Sequence, residues 1–254
     1  MKIGVFGLGL IGGSIFKKLQ EVAEYEVIGV SSSVIAENVT GNINDLVSCD
    51  IVFVCTPMNV TIDILEKLDK ILPQKTIVTD VCSLKSFLMN RSFGFKFIPS
   101  HPMAGTEHNG WEHSFAELFE KAKWVITPIS GEITDGQEIL ESVIESMGAK
   151  VVITTPEEHD RAVALISNLP LVVAQALCMN IKDNKLAQHI AASGFRDTTR
   201  LALSNLEMAQ DMFEINHENI LASVELLKES LDKLFGGNYK AQAQAIRDFR
   251  QNLF

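Results

Sequence analysis

The sequence predicts an α/β fold in which a doubly wound parallel sheet is followed by an all-helical domain. Short apolar segments of strand length alternate with helical segments as far as residue 155. A glycine-rich turn joins the first of these strands to the first helix. Beyond residue 155 the apolar residues recur at helical spacing, and no segment has the pattern of a strand. These observations place one domain at residues 1–155 and a second at residues 156–254.

The glycine-rich turn has the pattern G-x-G-x-x-G between a predicted strand at residues 2–6 and a predicted helix at residues 14–22. Gly7 permits the tight turn, Gly9 lets a pyrophosphate approach the backbone, and Gly12 lets the helix pack on the sheet. The helix N-terminus attracts the phosphates. The first domain is therefore predicted to be a Rossmann-type dinucleotide-binding domain. Its motif supplies six predicted cofactor contacts: Gly7, Leu8, Gly9, Leu10, Ile11 and Gly12.

The second predicted strand, Val27–Val30, bears on the choice of cofactor. Folds that bind NAD usually end this strand with Asp or Glu, which accepts hydrogen bonds from a ribose hydroxyl. Here Ser31, Ser32 and Ser33 follow, with no acid and no adjacent Arg. Their hydroxyls could donate to a 2′-phosphate. Ser31 and Ser32 are therefore predicted cofactor contacts, with NADP favoured and NAD possible.

The rest of the first domain follows the same pattern, with one short connection. Residues 34–49 are too few for a helix, a strand and a second helix, so the third strand is expected to be vestigial. Strands are predicted at 50–55, 76–81, 123–128 and 150–154, and helices at 60–71 and 135–147. Because ligands bind at the carboxyl ends of parallel strands, the residues at two of these strand ends are further predicted cofactor contacts: Thr56, Pro57 and Asp80.

His101 is the candidate for proton transfer. Residues 96–98 predict the end of a strand, which Pro99 stops. His101 is then expected on a loop between Pro99 and Pro102, where an imidazole with an ordinary pKa of about 6.5 suits proton transfer near neutral pH. The alternative is a surface-loop histidine without a chemical role. The strand ends are expected to bring His101 and Ser83 near the glycine turn.

The helical half contains one polar cluster. A capping box at residues 155–158 predicts the first helix start, and Pro170 predicts a kink. Arg196 and Arg200, four residues apart, could share a helical face and bind a carboxylate. The alternative is a pair of solvated arginines, paired with an acidic neighbour such as Asp197. Further helices are predicted near residues 185–192, 206–218, 218–235 and 239–252.

Composition limits the classes of partner. A net charge of −10 and a pI near 5.1 argue against a nucleic-acid-binding face and against anionic membranes. The longest apolar run, Leu169–Met179, is too short to span a bilayer. The four cysteines lack metal-binding spacing. We therefore expect no metal site and reduced thiols in a cytoplasmic protein.

Four blocks of this sequence resemble the prephenate/arogenate dehydrogenase family of tyrosine biosynthesis: Gly7–Gly12, Thr79–Lys85, His101–Glu107 and Gly194–Arg200. Many dehydrogenases share the first block, whereas the histidine and arginine blocks are much more specific. The resemblance implies an NAD(P)-dependent oxidative decarboxylation of prephenate or arogenate, in which hydride passes to nicotinamide and CO₂ leaves. It also implies that the helical domain forms a homodimer.

The family pattern also implies residue roles. By resemblance, His101 accepts the proton of the substrate hydroxyl and Ser83 hydrogen-bonds the same hydroxyl, so these two are the implied catalytic residues. Arg200 would bind a substrate carboxylate. The remaining substrate-binding residues implied are Arg196, which supports the local helix, and Thr106 and Glu107, on a loop that lines or gates the pocket.

One departure from the family pattern concerns the substrate. Residues 167–171 are Ser-Asn-Leu-Pro-Leu, where many members have Ser-His-Leu-Pro-His. Those histidines contact the substrate side chain, so the choice between prephenate and arogenate stays open. Two alternative functions also remain. One is another NAD(P)-dependent hydroxyacid dehydrogenase or imine reductase of the same architecture, and the other is a non-catalytic nucleotide-sensing dimer.

Overall fold

The computed structural model describes residues 1–106, 108–128 and 135–253, which form two compact units. The first comprises Met1–Val163 and Ser204–Ile215, and the second Ala164–Leu203 and Asn216–Phe254. This division falls after Val163, whereas composition changes at residue 155. The first turns of the helical half therefore belong to the compact unit that contains the sheet.

The first unit is built on a six-stranded parallel sheet, which confirms the predicted α/β class. Its strands are β1 (Lys2–Phe6), β2 (Glu26–Val30), β3 (Val39–Thr40), β4 (Ile51–Val54), β5 (Ile77–Asp80) and β6 (Lys96–Phe97). Their order is β3-β2-β1-β4-β5-β6, so β1 lies between β2 and β4. Ile3 and Phe53 are fully buried in the core. The chain winds outward from β1 in both directions, and this places the loops after β1, β4 and β5 along one edge.

Two elements differ in length from their usual counterparts. The third strand is vestigial, as predicted: β3 has two residues, and a 3₁₀ turn at Ile43–Ser48 stands where a helix would follow. Helix α1 (Leu10–Gln20) begins directly after Gly9 instead of at residue 14. Gly12 is already helical, and only glycine fits there, because a side chain at this position would collide with the carbonyl oxygen of Gly7. The helix therefore starts inside the glycine motif.

A second, three-stranded sheet carries His101. It consists of β7 (Ser100–Pro102), β8 (Lys123–Ile126) and β9 (Lys150–Ile153), in the order β7-β8-β9. The prediction of a loop at His101 was wrong, because this residue lies on β7 opposite Val125 of β8. β6 ends at Phe97, shortly before Pro99, and Pro102 is the last residue of β7. β7 is an edge strand, where a residue without an N–H is tolerated. Helices α2 (Met58–Asp69), α3 (Asp135–Ser146) and α4 (Pro156–Val163) complete this part of the chain.

The second unit is helical throughout its described residues. It contains a π-helical turn at Ala164–Asn168, helices α5 (Leu169–Ile181), α6 (Lys185–Ile190) and α7 (Ser193–Thr198), and a 3₁₀ turn at Arg200–Leu203. After α8 (Leu206–Ile215), which belongs to the first unit, come α9 (His217–Gly236) and α10 (Tyr239–Leu253). The predicted irregularity at Pro170 takes the form of the preceding π turn, since Pro170 has no N–H to donate.

The helical run Pro156–Ile181 is more apolar than the sequence estimate allowed. It has 26 residues with a mean hydropathy of 1.9 in its most apolar window, so length and composition alone would let it cross a membrane. The estimate from Leu169–Met179 was too short because it ignored the helical residues preceding that run. Core helices of soluble proteins meet the same criteria. Within the single chain, 28% of this window is buried.

Candidate active site

The turn after β1 is shaped to receive a phosphate. Gly7 has a φ of 91°, and a Cβ on it would lie 2.5 Å from the carbonyl oxygen of Cys55. A Cβ on Gly9 would meet open space, so the backbone here borders a void. Gly9 is the N-cap of α1 and supplies no side-chain cap. The first N–H groups of α1 are therefore available to a bound anion, and these residues fit a dinucleotide.

A cleft of about 920 Å³ opens beside this turn, within the first unit. The glycine turn borders it on one side and Ser31–Ser33 on another, and Lys67 and Glu112 also line it. The Oγ of Ser31 accepts the N–H groups of Ser33 and Val34, at 3.2 Å each. The same oxygen lies 3.5 Å from the Oγ of Ser33, and either hydroxyl could be the donor there, so one of the two hydroxyl protons is available to a ligand. Sequence reasoning missed Lys67, because only the packing of α2 brings this cation into the cleft.

The predicted contacts after β4 and β5 meet different surroundings. The Oγ1 of Thr56 lies 2.9 Å from the Oγ1 of Thr61, and Pro57 is the N-cap of α2. Asp80 is fully buried instead of facing a ligand. Its carboxylate accepts N–H groups from Cys82 at 2.9 Å and Ser100 at 3.2 Å, together with the ammonium of Lys85. We therefore reassign Asp80 from a cofactor contact to a structural brace.

Lys85 connects this brace to the strand that carries His101. Its side chain is fully buried, and its Nζ donates both to Asp80 and, at 2.6 Å, to the carbonyl oxygen of Ser100. The Oγ of Ser100 receives the indole N–H of Trp124 at 2.9 Å. A buried cation and a buried anion thus hold the start of β7 against the end of β5.

His101 has a partner that the sequence did not predict. Its Nδ1 lies 3.0 Å from the Nε2 of His159, and the two rings meet edge to face at 79°. The Nδ1 of His159 lies 2.8 Å from Oδ1 of Asp160. Asp160 also accepts the N–H groups of Lys85 at 2.9 Å and Ser86 at 2.8 Å. The three side chains form a continuous chain of hydrogen bonds from β7 to α4.

The position of His159 and Asp160 follows from the helix start. The Oγ1 of Thr155 accepts the N–H of Glu158 at 3.2 Å, which is one of the two bonds of the predicted capping box, while the Glu158 carboxylate accepts the hydroxyl of Thr154 at 2.8 Å. The two residues that follow it are almost fully buried, at 3% and 2% exposure. An adjacent His-Asp pair behind a capping box carries no signal of its own in a single sequence. Their role becomes visible only when α4 packs beside β7.

The electrostatics of this cluster favour a neutral imidazole. Burial, the Lys85 ammonium and His159 together hold the pKa of His101 well below its ordinary value. The prediction of an ordinary pKa was therefore wrong. Burial acts to raise the pKa of Asp160, but hydrogen bonds from His159 and Ser86 outweigh it, so this pKa is lowered. These two shifts favour an ionised Asp160 carboxylate and a neutral His101.

The other predicted residues differ in exposure, and one of them lies outside the described residues. Ser83 is half-buried in the segment after β5. Thr106 is exposed, and its Oγ1 accepts the N–H of His108 at 3.2 Å. Glu107 lies outside the described residues. Arg196 and Arg200 are exposed and belong to the second unit.

The arginines do not share one α-helical face as predicted, because α7 ends at Thr198 and Arg200 begins a 3₁₀ turn. The Nε of Arg196 lies 3.6 Å from Oδ1 of Asp197, with both side chains largely exposed. This contact matches the solvated alternative for Arg196. A pair of this kind contributes little to stability.

The cysteine side chains occupy buried or half-buried positions. All four cysteines are free, and burial raises the pKa of Cys49 to about 11 and that of Cys82 further. Across the described part of the chain, no group of three or more His, Cys, Asp or Glu side chains could hold a metal ion.

Comparison with known proteins identifies relatives of both halves. The family model for the nucleotide-binding domain of prephenate dehydrogenase matches residues 21–153. The model for the dimerization domain of prephenate dehydrogenase matches residues 155–246. Prephenate dehydrogenase from Lactococcus lactis is 32% identical over 98% of this chain and 74% of its own length.

Two solved structures share the fold along nearly the entire chain. Synechocystis arogenate dehydrogenase is 34% identical, with a TM-score of 0.82 over 99% of this chain and 97% of its own. Prephenate dehydrogenase from Aquifex aeolicus, solved with hydroxyphenyl propionate and NAD⁺, is 26% identical. Its TM-score is 0.83 over 100% of this chain and 96% of its own. The glycine turn, the His101 cluster and the arginine segment all lie within the span of these matches.

Proposed function

The chain belongs to the prephenate dehydrogenase family, and from this premise we propose that it catalyses the NAD(P)-dependent oxidative decarboxylation of prephenate or arogenate in tyrosine biosynthesis. The observation that best supports the proposal is His101, a neutral imidazole oriented by its hydrogen bond to His159. It lies in the same compact unit as the glycine turn, whose residues fit a dinucleotide. A nucleotide-sensing dimer would need no such base. Family membership likewise disfavours the hydroxyacid dehydrogenase and imine reductase alternatives.

In this proposal His101 acts as the general base. Its Nδ1 faces His159, so its Nε2 is the atom left for substrate. The chemistry that a bound oxidised nicotinamide supplies is acceptance of the hydride from the hydroxyl-bearing ring carbon. As that hydride departs, Nε2 of His101 takes up the hydroxyl proton. The electron pair released by departing CO₂ makes the ring aromatic, and the proton returns to the phenol oxygen.

The remaining residues are proposed to bind and orient substrate. Ser83 donates to the same hydroxyl, and Thr106 and Glu107 are proposed to border the ring. Arg200 binds a substrate carboxylate. We expect Arg200→Ala to raise KM, because losing one member of a desolvated charge pair costs about 2–5 kcal/mol. Arg196→Ala is the matched control and should cost clearly less, since its guanidinium already lies beside Asp197. The reverse order of effects would exchange the two roles.

We further propose that NADP is preferred and NAD tolerated. Ser31 can donate a hydroxyl proton, and Lys67 adds a cation to the same cleft. One hydrogen bond from a neutral donor to a charged phosphate contributes about 1.5–3 kcal/mol, enough for a tenfold preference. Glu112 lines the cleft too and could accept a ribose hydroxyl of NAD. Ser31→Asp and Lys67→Met should each shift kcat/KM towards NAD. A wild-type kcat/KM that is higher for NAD would contradict the preference.

A homodimer in the cytoplasm is the proposed state of the enzyme. The second unit exposes large apolar side chains, with Leu203 and Phe235 each 88% exposed. Its helix α5 is likewise poorly covered within one chain. A second copy would cover such a surface, consistent with the dimerization-domain match. Light scattering at micromolar concentration should give twice the chain mass, and a monomeric mass would contradict the dimer.

The proposed activity is tested by crossing both substrates with both cofactors. Purified enzyme is mixed with prephenate or arogenate and with NAD or NADP, and reduced nicotinamide is followed by its absorbance. Turnover of either substrate supports the proposal. Cofactor binding without turnover of either one would favour the nucleotide-sensing alternative.

A further inference from the structure

We propose that His159 and Asp160 are positioning residues that fix the tautomer of His101 and hold positive charge while His101 carries the substrate proton. This inference rests on the proposed function and deepens it. Neither residue belongs to the sequence blocks that carry the family resemblance. Their role follows from the direction in which each hydrogen bond of the chain must run.

The direction is set at the Asp160 end. Both oxygens of its carboxylate accept backbone N–H groups, from Lys85 and Ser86. An ionised carboxylate can only accept, so the Nδ1 of His159 must donate to it, across 2.8 Å. A neutral His159 then has a lone pair at Nε2. That lone pair accepts a hydrogen bond from the Nδ1–H of His101, across 3.0 Å.

The consequence reaches the reacting atom. A neutral His101 that donates through Nδ1 carries its lone pair at Nε2, the orientation that a general base requires. With the opposite tautomer, Nε2 would present a proton to the substrate hydroxyl instead of accepting one. The dyad thus determines whether His101 can act as a base at all.

The same chain offers a place for the transferred proton. When the O–H bond breaks and a bond to Nε2 of His101 forms, the imidazole becomes cationic in the presence of the Lys85 ammonium, which opposes it. The Nδ1 proton can move to Nε2 of His159, giving a histidine cation beside the Asp160 carboxylate. Since backbone groups occupy both Asp160 oxygens, the proton goes no further. It returns through the same bonds to the phenol oxygen.

Tautomers provide a test that does not depend on turnover. Protein with ¹⁵N-labelled histidine is examined by long-range ¹H–¹⁵N correlation at neutral pH, without substrate. We expect protons on Nδ1 of both His101 and His159, and a bare Nε2 on His101. In Asp160→Asn the amide can donate to His159, which should reverse both tautomers. Asp80→Asn is the matched control: it alters an equally buried aspartate without moving either tautomer. A wild-type His101 protonated at Nε2 would overturn the proposal.

Kinetics then separate positioning from a purely structural role. Asp160→Asn and His159→Phe should lower kcat by about 10²-fold or more, with KM and cofactor affinity within a few-fold of wild type. When the same changes are added to His101→Asn, they should lower kcat by less than a further threefold, because their effect depends on the His101 imidazole that this variant lacks. Full additivity, or single variants within a few-fold of wild type, would overturn the proposal. A wild-type enzyme inactive on both substrates would instead refute the proposed function, leaving the tautomer result to judge the dyad.

Discussion

Two buried aspartates in the first unit have similar surroundings and opposite expected behaviour. Asp80 and Asp160 each accept two backbone N–H groups and a hydrogen bond from a titratable side chain, and each is 2% exposed or less. The donor at Asp80 is Lys85, a fixed cation, whereas the donor at Asp160 is His159, which can gain a proton. The Asp80 carboxylate therefore serves as a structural brace, whereas the Asp160 carboxylate can respond to a change in the protonation of the adjacent His159.

Lys85 connects the two sites. Its ammonium pairs with Asp80, while its backbone N–H donates to Asp160. The segment after β5 is thereby held at both ends, and the strand of His101 is tied to it through Ser100. The contrast shows that a buried carboxylate at a sheet edge is not by itself evidence of a ligand site. The donor opposite it decides whether the group holds structure or moves protons.

The largest expected effect comes from removing the cation that pairs with Asp80 in the structural brace. Lys85→Met leaves Asp80 as a buried charge without its cation, which should lower the free energy of unfolding by about 3–5 kcal/mol. The double variant with Asp80→Asn removes the uncompensated charge and should recover part of this loss. Chemical denaturation of the three proteins provides the measurement. A Lys85→Met variant within about 1 kcal/mol of wild type would show that the pair is not the brace we infer.

The second effect removes the base at the responsive site. His101→Asn should keep cofactor affinity and lower kcat by about 10²–10⁴, the range for a general base. In the wild type, kcat/KM should fall on acidification. Because the pKa of His101 is held below its ordinary value, this fall should begin below pH 6.5. Steady-state rates across pH 5–8 test both statements. A variant within a few-fold of wild type would exclude His101 from the mechanism.

The sequence predicted the parts of the site whose geometry is local. The glycine turn needs only a strand, a tight bend and a helix start, all of which lie within residues 2–20. The vestigial third strand followed from chain length alone. His101 was identified as the candidate base by its motif, although its strand was missed. The local pattern of Pro99 and Pro102 on either side of His101 does not indicate that β8 pairs with this segment.

The missing parts depend on contacts between distant segments. His159 lies 58 residues from His101, and Asp160 lies 75 residues from the backbone N–H of Lys85 that it caps. No periodicity encodes such pairings. Asp80 was predicted to be a cofactor contact for a related reason. An acidic residue at a strand end can contact a ligand or form a buried brace, and only the position of Lys85 in the folded structure distinguishes the two. Lys67 reaches the cleft through the packing of an entire helix.

The smallest expected effect separates the two aspartate sites by pH. The pKa of His101 is lower in the folded than in the unfolded state, because the side chain is buried near the Lys85 ammonium and His159, which pairs with Asp160. Stability should therefore decrease as pH falls below about 6.5, by up to about 1.4 kcal/mol per pH unit. The lowered pKa of Asp160 acts elsewhere, since its contribution is lost only below about pH 4. The measurement is the free energy of unfolding between pH 7 and pH 5 for wild type and His101→Asn. The difference in the free energy of unfolding between the two proteins should shrink on acidification, because only the wild type has a side chain at this position whose protonation is disfavoured by folding. Parallel curves would mean that His101 titrates normally and that the cluster does not hold it neutral.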